Sequence, residues 1–310
     1  MQPVASIKNL SKKYKNIHAV DELSFTVQDG DVYGFLGQNG AGKSTTIRML
    51  LSLIKPTTGE IELFGMKLHT HRSQVLRNIG AIIEKPDVYK YLSAYNNLKL
   101  FARMSGVHPS DKELMQQLDM VGLKERAHSK VHTFSQGMKQ RLGIAIALIH
   151  DPRLIILDEP TNGLDPQGIA DIRNLILHLS RDMKKTLLVS SHLLNEMEQV
   201  ATRLLIIDKG KKLVEGNAAE LFNPAQTLIE LQTLNNQEAL LLIQGSQWQK
   251  NMQQRNKNIL LKMHRNSIPG FNEWLVQQGI KVVSLQSRHS LEDYFLQITS
   301  GTQHVAAFEN

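Results

Sequence analysis

The segment Gly37-Gln38-Asn39-Gly40-Ala41-Gly42-Lys43-Ser44-Thr45 constrains the fold more than any other stretch of this chain. Its spacing is GxxxxGK[ST], and it lies between an apolar run, Val32–Leu36, and a helically periodic run, Thr45–Leu53. Strand, glycine-rich loop and helix are therefore expected in that order. Glycines let the backbone curl until successive N–H groups point inward at one anion, and the helix N-terminus adds its partial positive charge. A phosphate fits that description. Lys43 is placed to reach the outer phosphates of a nucleotide, and Ser44 to offer its hydroxyl to Mg²⁺.

A second constraint is Leu154-Ile155-Ile156-Leu157-Asp158-Glu159-Pro160. Four apolar residues predict a buried strand that delivers two carboxylates to its C-terminal end, where ligands bind in open α/β sheets. Asp158 is suited to hold Mg²⁺ and Glu159 to polarise an attacking water. Between the two segments the helix signal dominates, with Ala94–Met104, Lys112–Val121 and Gly137–Ile149 as candidates. Strands are expected at Ala5–Leu10, Leu23–Val27, Thr186–Ser190, Leu204–Asp208 and Lys212–Val214, with a short helix at Asn195–Ala201. Strands interleaved with helices imply an α/β fold with a mainly parallel sheet.

A chain of 310 residues exceeds what one core usually organises, and composition shifts after Glu220 toward glutamine and asparagine. Residues 1–219 are expected to form one domain, with a helical subdomain at about 86–150. Residues 220–300 are expected to form a small α/β unit of ferredoxin-like form, accessory, regulatory or dimerising in role, before a loose tail at 301–310. Its predicted elements are strands Leu228–Gln232, Ile259–Met263 and Lys281–Leu285, and helices Asn236–Ile243, Phe271–Gln278 and Leu291–Ile298.

Cysteine is absent, which excludes disulfides and thiolate metal sites. No apolar run approaches the roughly 20 residues that cross a bilayer, and none follows the basic N-terminus as a secretory signal requires. The net charge of +7 lies wholly in residues 1–219, since seven Lys/Arg and seven Asp/Glu balance from Glu220 onward. The lysines are scattered rather than interleaved with aromatics, so nucleic acid is not an expected partner.

The third segment, Thr133-Phe134-Ser135-Gln136-Gly137-Met138-Lys139-Gln140-Arg141, resembles the LSGGQ signature of the ABC ATPases. Ser135 and the Gly137 backbone open a buried helix and make a second anion cradle. The resemblance spans residues 4 to about 216 and implies a P-loop NTPase fold of the ABC type, with a β-subdomain and helical insertion, that binds ATP and Mg²⁺. It further implies that Ser135, Gln136, Gly137 and Met138 contact ATP held by an opposite subunit. Gly163, Leu164 and Asp165 look like the loop at the dimer interface, His192 like the switch histidine at the γ-phosphate, and Tyr14 like the aromatic that stacks on adenine. Three residues depart from the family. Glu84 stands where glutamine usually contacts Mg²⁺, Gln136 replaces a signature glycine, and Met138 replaces the usual glutamine.

Glu84, the Phe-Ser-Gln-Gly-Met form and the tail Ser290–Leu296 are similar to the bacitracin-export and lantibiotic-immunity branch. What this implies is a head-to-tail dimer, with itself or a homologous ATPase, at the cytoplasmic face of a bacterial membrane. Separate transmembrane permease subunits would move a peptide antibiotic. The competing expectation is a soluble ABC ATPase acting on ribosomes or DNA.

Overall fold

The computed structural model describes residues 3–222, 226–254 and 259–288 of the chain. Alternating residues near the N-terminus form a hairpin of β1 (Ala5–Tyr14) and β2 (Ile17–Val27), with Tyr14 opposite Ile17. Both strands outrun the apolar alternation, because a tight turn with Lys15 at φ 49° pairs the polar residues between them as well. Gln28–Asp31 turns as expected, the Gln28 N–H donating to the Asp31 carboxylate, and leads into β3 (Val32–Leu36). The glycine-rich loop follows, then α1 (Lys43–Leu50). β4 (Thr58–Leu63) and β5 (Met66–Lys67) complete an antiparallel sheet of order β2-β1-β4-β5.

After α2 (Arg72–Leu76) and β6 (Ile79–Ile82) comes the helical stretch: α3 (Ala94–Met104), α4 (Asp111–Met120) and α5 (Gln136–Leu148). Each of these three starts on a serine, Ser93, Ser110 or Ser135, whose oxygen accepts an otherwise orphaned backbone N–H. Ser110 and Glu113 do so reciprocally, and the Ser110 backbone N–H holds the Glu113 carboxyl below its usual range.

β7 (Leu154–Asp158), α6 (Pro166–Arg181), β8 (Thr186–Ser191), α7 (Leu194–Val200), β9 (Arg203–Asp208) and β10 (Lys211–Asn217) finish the first unit. Its larger sheet has the order β10-β9-β3-β8-β7-β6 and is parallel apart from β10. β3, β7 and β8 are buried along their whole length, which explains their uninterrupted apolar runs. α6, β4 and β6 had no counterpart in the sequence-based expectation. The signal for α6 is nonetheless there: Asp165 caps it, Pro166 occupies its first turn, and Ile172, Leu175, Ile176 and Leu179 bury one face.

The chain divides into two compact units, Met1–Ala218 and Ala219–Asn310. A short α8 (Ala218–Phe222) stands at the division. The second unit contains β11 (Gln226–Thr233), α9 (Asn236–Gln244), β12 (Met252–Gln254), β13 (Ile259–His264), α10 (Ile268–Gln277) and β14 (Val282–Arg288). Its sheet, β12-β13-β11-β14, is antiparallel throughout. The β-α-β-β-α-β succession with that order is the ferredoxin-like arrangement. Ile229, Leu231, Ile243, Leu261, Phe271 and Leu275 form its core. The expected helix Leu291–Ile298, the motif Ser290–Leu296 and the tail 301–310 lie outside the described residues.

In the first unit β6 meets α5 so closely that a Cβ on Gly80 would stand 2.1 Å from the Ala147 carbonyl oxygen. Backbone cannot retreat as a side-chain end can. Gly80→Ala is therefore expected to cost about 2–3 kcal/mol of folding free energy, and an unchanged urea midpoint would refute the close approach.

Candidate nucleotide site

The site grows from the in-register ends of neighbouring strands. β3 passes directly into the loop Gly37–Gly42, and the Gly37 N–H donates to the Ser191 carbonyl at the end of β8. The loop needs its glycines at two points in particular. Gly42 has φ 108°, and a Cβ there would lie 2.5 Å from the Ala19 carbonyl oxygen of β2. Gly40 has φ 84°, a conformation that side chains disfavour. Ala41 is buried beneath the loop, while Gln38 and Asn39 stand exposed on it. Ser44 and Thr45 follow in the first turn of α1, both half-buried.

Lys43 is almost wholly buried. Its ammonium donates to the carbonyls of Gly37 at 2.5 Å and Gln38 at 3.2 Å, and pairs with Glu159 Oε1 at 3.1 Å. That carboxylate oxygen has no hydrogen bond of its own, so the contact is an ion pair held by charge alone. The other oxygen of Glu159 accepts from His192 Nδ1 at 2.7 Å. A carboxylate only accepts, so Nδ1 is the donor in this bond. Lys43, Glu159 and His192 therefore form one connected chain of three side chains.

Asp158 is fully buried at the end of β7. Its Oδ1 accepts from the Ser190 hydroxyl at 2.6 Å, and the same Ser190 oxygen accepts the Glu159 N–H at 2.9 Å. Asp158 Oδ2 is buried without a partner. Glu159 takes the left-handed conformation, φ 50°, which turns its side chain away from the strand. Among the functional residues that sequence reasoning missed, Ser190 is central, and only its register opposite Asp158 reveals it. Glu196 is another. It accepts from Thr161 at 2.6 Å and from Ser191 at 3.2 Å, tying the segment after Glu159 to the end of β8.

The remaining expected residues divide. Ser135 is exposed and accepts the Met138 N–H as the cap of α5, with Gln136, Gly137 and Met138 half-buried in its first turn. Asp165 caps α6 by accepting from the Gly168 N–H, beside half-buried Leu164 and Gly163 at φ 75°. Tyr14 is 47% exposed at the tip of the β1–β2 hairpin, with the Lys12 ammonium over its ring. The Glu84 carboxylate bonds Arg48 of α1 at 2.5 Å, and among the described residues no set of three His, Cys, Asp or Glu residues assembles a metal cage.

Comparison with known proteins decides the family. The model of the ABC transporter family matches residues 20–162. Over 303 residues, 97% of this chain and 99% of the relative, the sequence is 41% identical to the bacitracin transport ATP-binding protein BcrA of Bacillus licheniformis. The chain belongs to the ATP-binding subunits of ABC transporters. It is also 43% identical over 223 residues to the lantibiotic transport ATP-binding protein SrtF of Streptococcus pyogenes, covering 70% of this chain and 95% of SrtF. Among solved structures, a dimeric ATP-binding cassette in a post-hydrolysis state with ADP and phosphate superposes with a TM-score of 0.63 at 27% identity, over 69% of this chain and 98% of that one. This ABC subunit is thus an ATPase that binds ATP, with the P-loop fold and branch that its motifs imply. No helix among the described residues is long and apolar enough to cross a membrane.

Ser190 offers a direct check on the geometry. Ser190→Ala leaves a buried Asp158 oxygen and the Glu159 N–H unanswered, and is expected to lower stability by about 1–3 kcal/mol. A denaturation curve superposable on that of the parent chain would mean those two bonds contribute nothing.

Proposed function

We propose that this ABC subunit hydrolyses ATP at the Lys43–Glu159–His192 chain, as one half of a head-to-tail dimer that drives separate transmembrane subunits. The reading rests on one observation: the loop lysine, two strand-end carboxylates and the histidine after β8 share a continuous set of contacts through Ser190. Lys43 exchanges its loop carbonyls for the β- and γ-phosphates, and the N–H groups of Gly37–Thr45 take the remaining oxygens. Glu159, released from Lys43, polarises the attacking water, while His192 Nδ1 holds the carboxylate in orientation. Positioning and charge stabilisation supply most of the acceleration.

The residues fit a magnesium ion. Asp158 Oδ2 is a buried acceptor without a partner, and the Ser44 hydroxyl is an oxygen donor of the kind that Mg²⁺ prefers. Asp158 and Ser44 would hold such an ion, which would supply positive charge to offset the negative charge of the phosphates. Tyr14, exposed at its hairpin tip, supplies a ring face for adenine.

Ser135 and Gly137 serve the partner's nucleotide, with Gln136 and Met138 beside them and Gly163–Asp165 lining the dimer interface. ATP closes the dimer because its terminal phosphate is held from both sides, and hydrolysis removes that contact. The partner is a second copy or a homologous ATPase. The assembly works at the inner face of a bacterial membrane. A peptide antibiotic of the bacitracin or lantibiotic kind is the cargo, a reading supported by relatives that carry those names along nearly all or most of this chain.

Glu159→Gln should slow turnover by roughly 10²–10⁴-fold, the usual share of a general base, while ATP binding and the nucleotide-held dimer persist. Phosphate release combined with ATP titration checks both halves, and rapid hydrolysis by the variant would remove Glu159 from its role. Ser135→Ala should weaken ATP-dependent dimerisation in sizing experiments and leave binding to the monomer intact. Equal loss of both would dismiss the contact across the dimer.

A further inference from the structure

Glu84 follows β6 in a conformation that non-glycine residues avoid, φ 59°, with the Lys85 N–H donating to the Ile83 carbonyl at 2.7 Å around it. A strained three-residue turn of this kind persists only where the surroundings hold it. Two contacts do so. On one side the Arg48 guanidinium grips the Glu84 carboxylate at 2.5 Å. On the other, Pro86 packs onto α5 where Gly143 leaves room: a Cβ at Gly143 would lie 2.6 Å from the proline ring. Arg48 sits five residues after Lys43 on α1, and α5 opens at Ser135. The segment 84–86 thereby joins the helix that carries the phosphate lysine to the helix that carries the signature serine.

We propose that Arg48 is a positioning residue for ATP hydrolysis, acting through Glu84. It holds that carboxylate on α1, so the linker brings no net negative charge toward the phosphates and α1 is tied to the segment that packs on α5. Glutamine at position 84 could accept one hydrogen bond from the guanidinium but not the ion pair, so the arrangement is specific to a linker that carries glutamate. The inference deepens the ATPase reading and assigns Glu84 to Arg48 rather than to magnesium.

The test is a double-mutant cycle on the full chain, in its transporter complex, with two independent readouts. Arg48→Ala and Glu84→Ala should each lower ATP turnover by roughly three- to fivefold, the range open to a half-exposed ion pair. The double variant should be no worse than either single one. The exchange Arg48→Glu with Glu84→Arg should recover most of the loss at low salt and less at high salt. Half-saturation by Mg²⁺ should stay within twofold of the parent value in every variant. Hydrogen exchange across residues 83–93 should accelerate in both single variants and slow again in the exchanged pair. This second readout reports on the clasp whether or not ATP is turned over, so a failure of the ATPase reading is seen separately. Multiplicative losses in the double variant, exchange rates indifferent to Arg48, or a tenfold shift in Mg²⁺ half-saturation in Glu84→Ala would each overturn the proposal.

Discussion

A carboxylate buried from water must be answered by donors or cations, or it costs several kcal/mol. Asp158 is such a group, and the organisation around it follows from that demand. Parallel pairing sets Asp158 directly opposite Ser190, so one oxygen receives a hydroxyl from the neighbouring strand at no cost in chain rearrangement. The same hydroxyl oxygen takes the Glu159 N–H, which stabilises the turn that swings Glu159 toward Lys43. β3 stands on the other side of β8, with Leu36 opposite Ser191, so the phosphate loop begins level with both carboxylates. Three strand ends in register thus make the site, and a register slip of one residue would invert every side chain in it.

Much of this was legible before any coordinates. The fold class follows from motifs that carry their own local structure: a GxxxxGK[ST] phosphate loop sits between a strand and a helix, and Val32–Leu36 and Leu154–Leu157 are apolar enough to be covered on both faces. Lys43, Asp158, Glu159 and His192 belong to such segments and are found connected. What stayed hidden is through-space pairing. Ser190 is an unremarkable strand serine until β7 is laid beside it. Arg48 reads as an ordinary polar position on α1, and nothing in local periodicity announces its partner 36 residues away. α6 is obscured for a different reason: its capping Asp165 lies inside a segment that also resembles an interface loop.

The capping roles bear on how the site works. Ser135 and Asp165 each accept a backbone N–H at the start of α5 and α6, and both belong to segments read as contacts with another subunit. A side chain that fixes a helix N-terminus also fixes where the free N–H groups of that first turn point. The two assignments are therefore compatible: the cap orients the donors, and an incoming phosphate meets an N-terminus already aimed.

α1 carries the last piece of the logic. Two of its cations, Lys43 and Arg48, each hold a glutamate that follows a strand end, Glu159 after β7 and Glu84 after β6. β6 and β7 are neighbours, and both glutamates take left-handed backbone conformations, each costing on the order of 1–3 kcal/mol. The pairs differ in solvent. Lys43–Glu159 is nearly dry, so its attraction is strong and its exchange for a phosphate is a large electrostatic event. Arg48–Glu84 is half-exposed, so it is weaker, screened and easily remade. A helix held by one strong contact that nucleotide replaces and one weak contact that persists can pass a change at Lys43 along its length. Under the proposed role of Arg48, such a change would reach the linker at Glu84, and through Pro86 the helix that begins at Ser135.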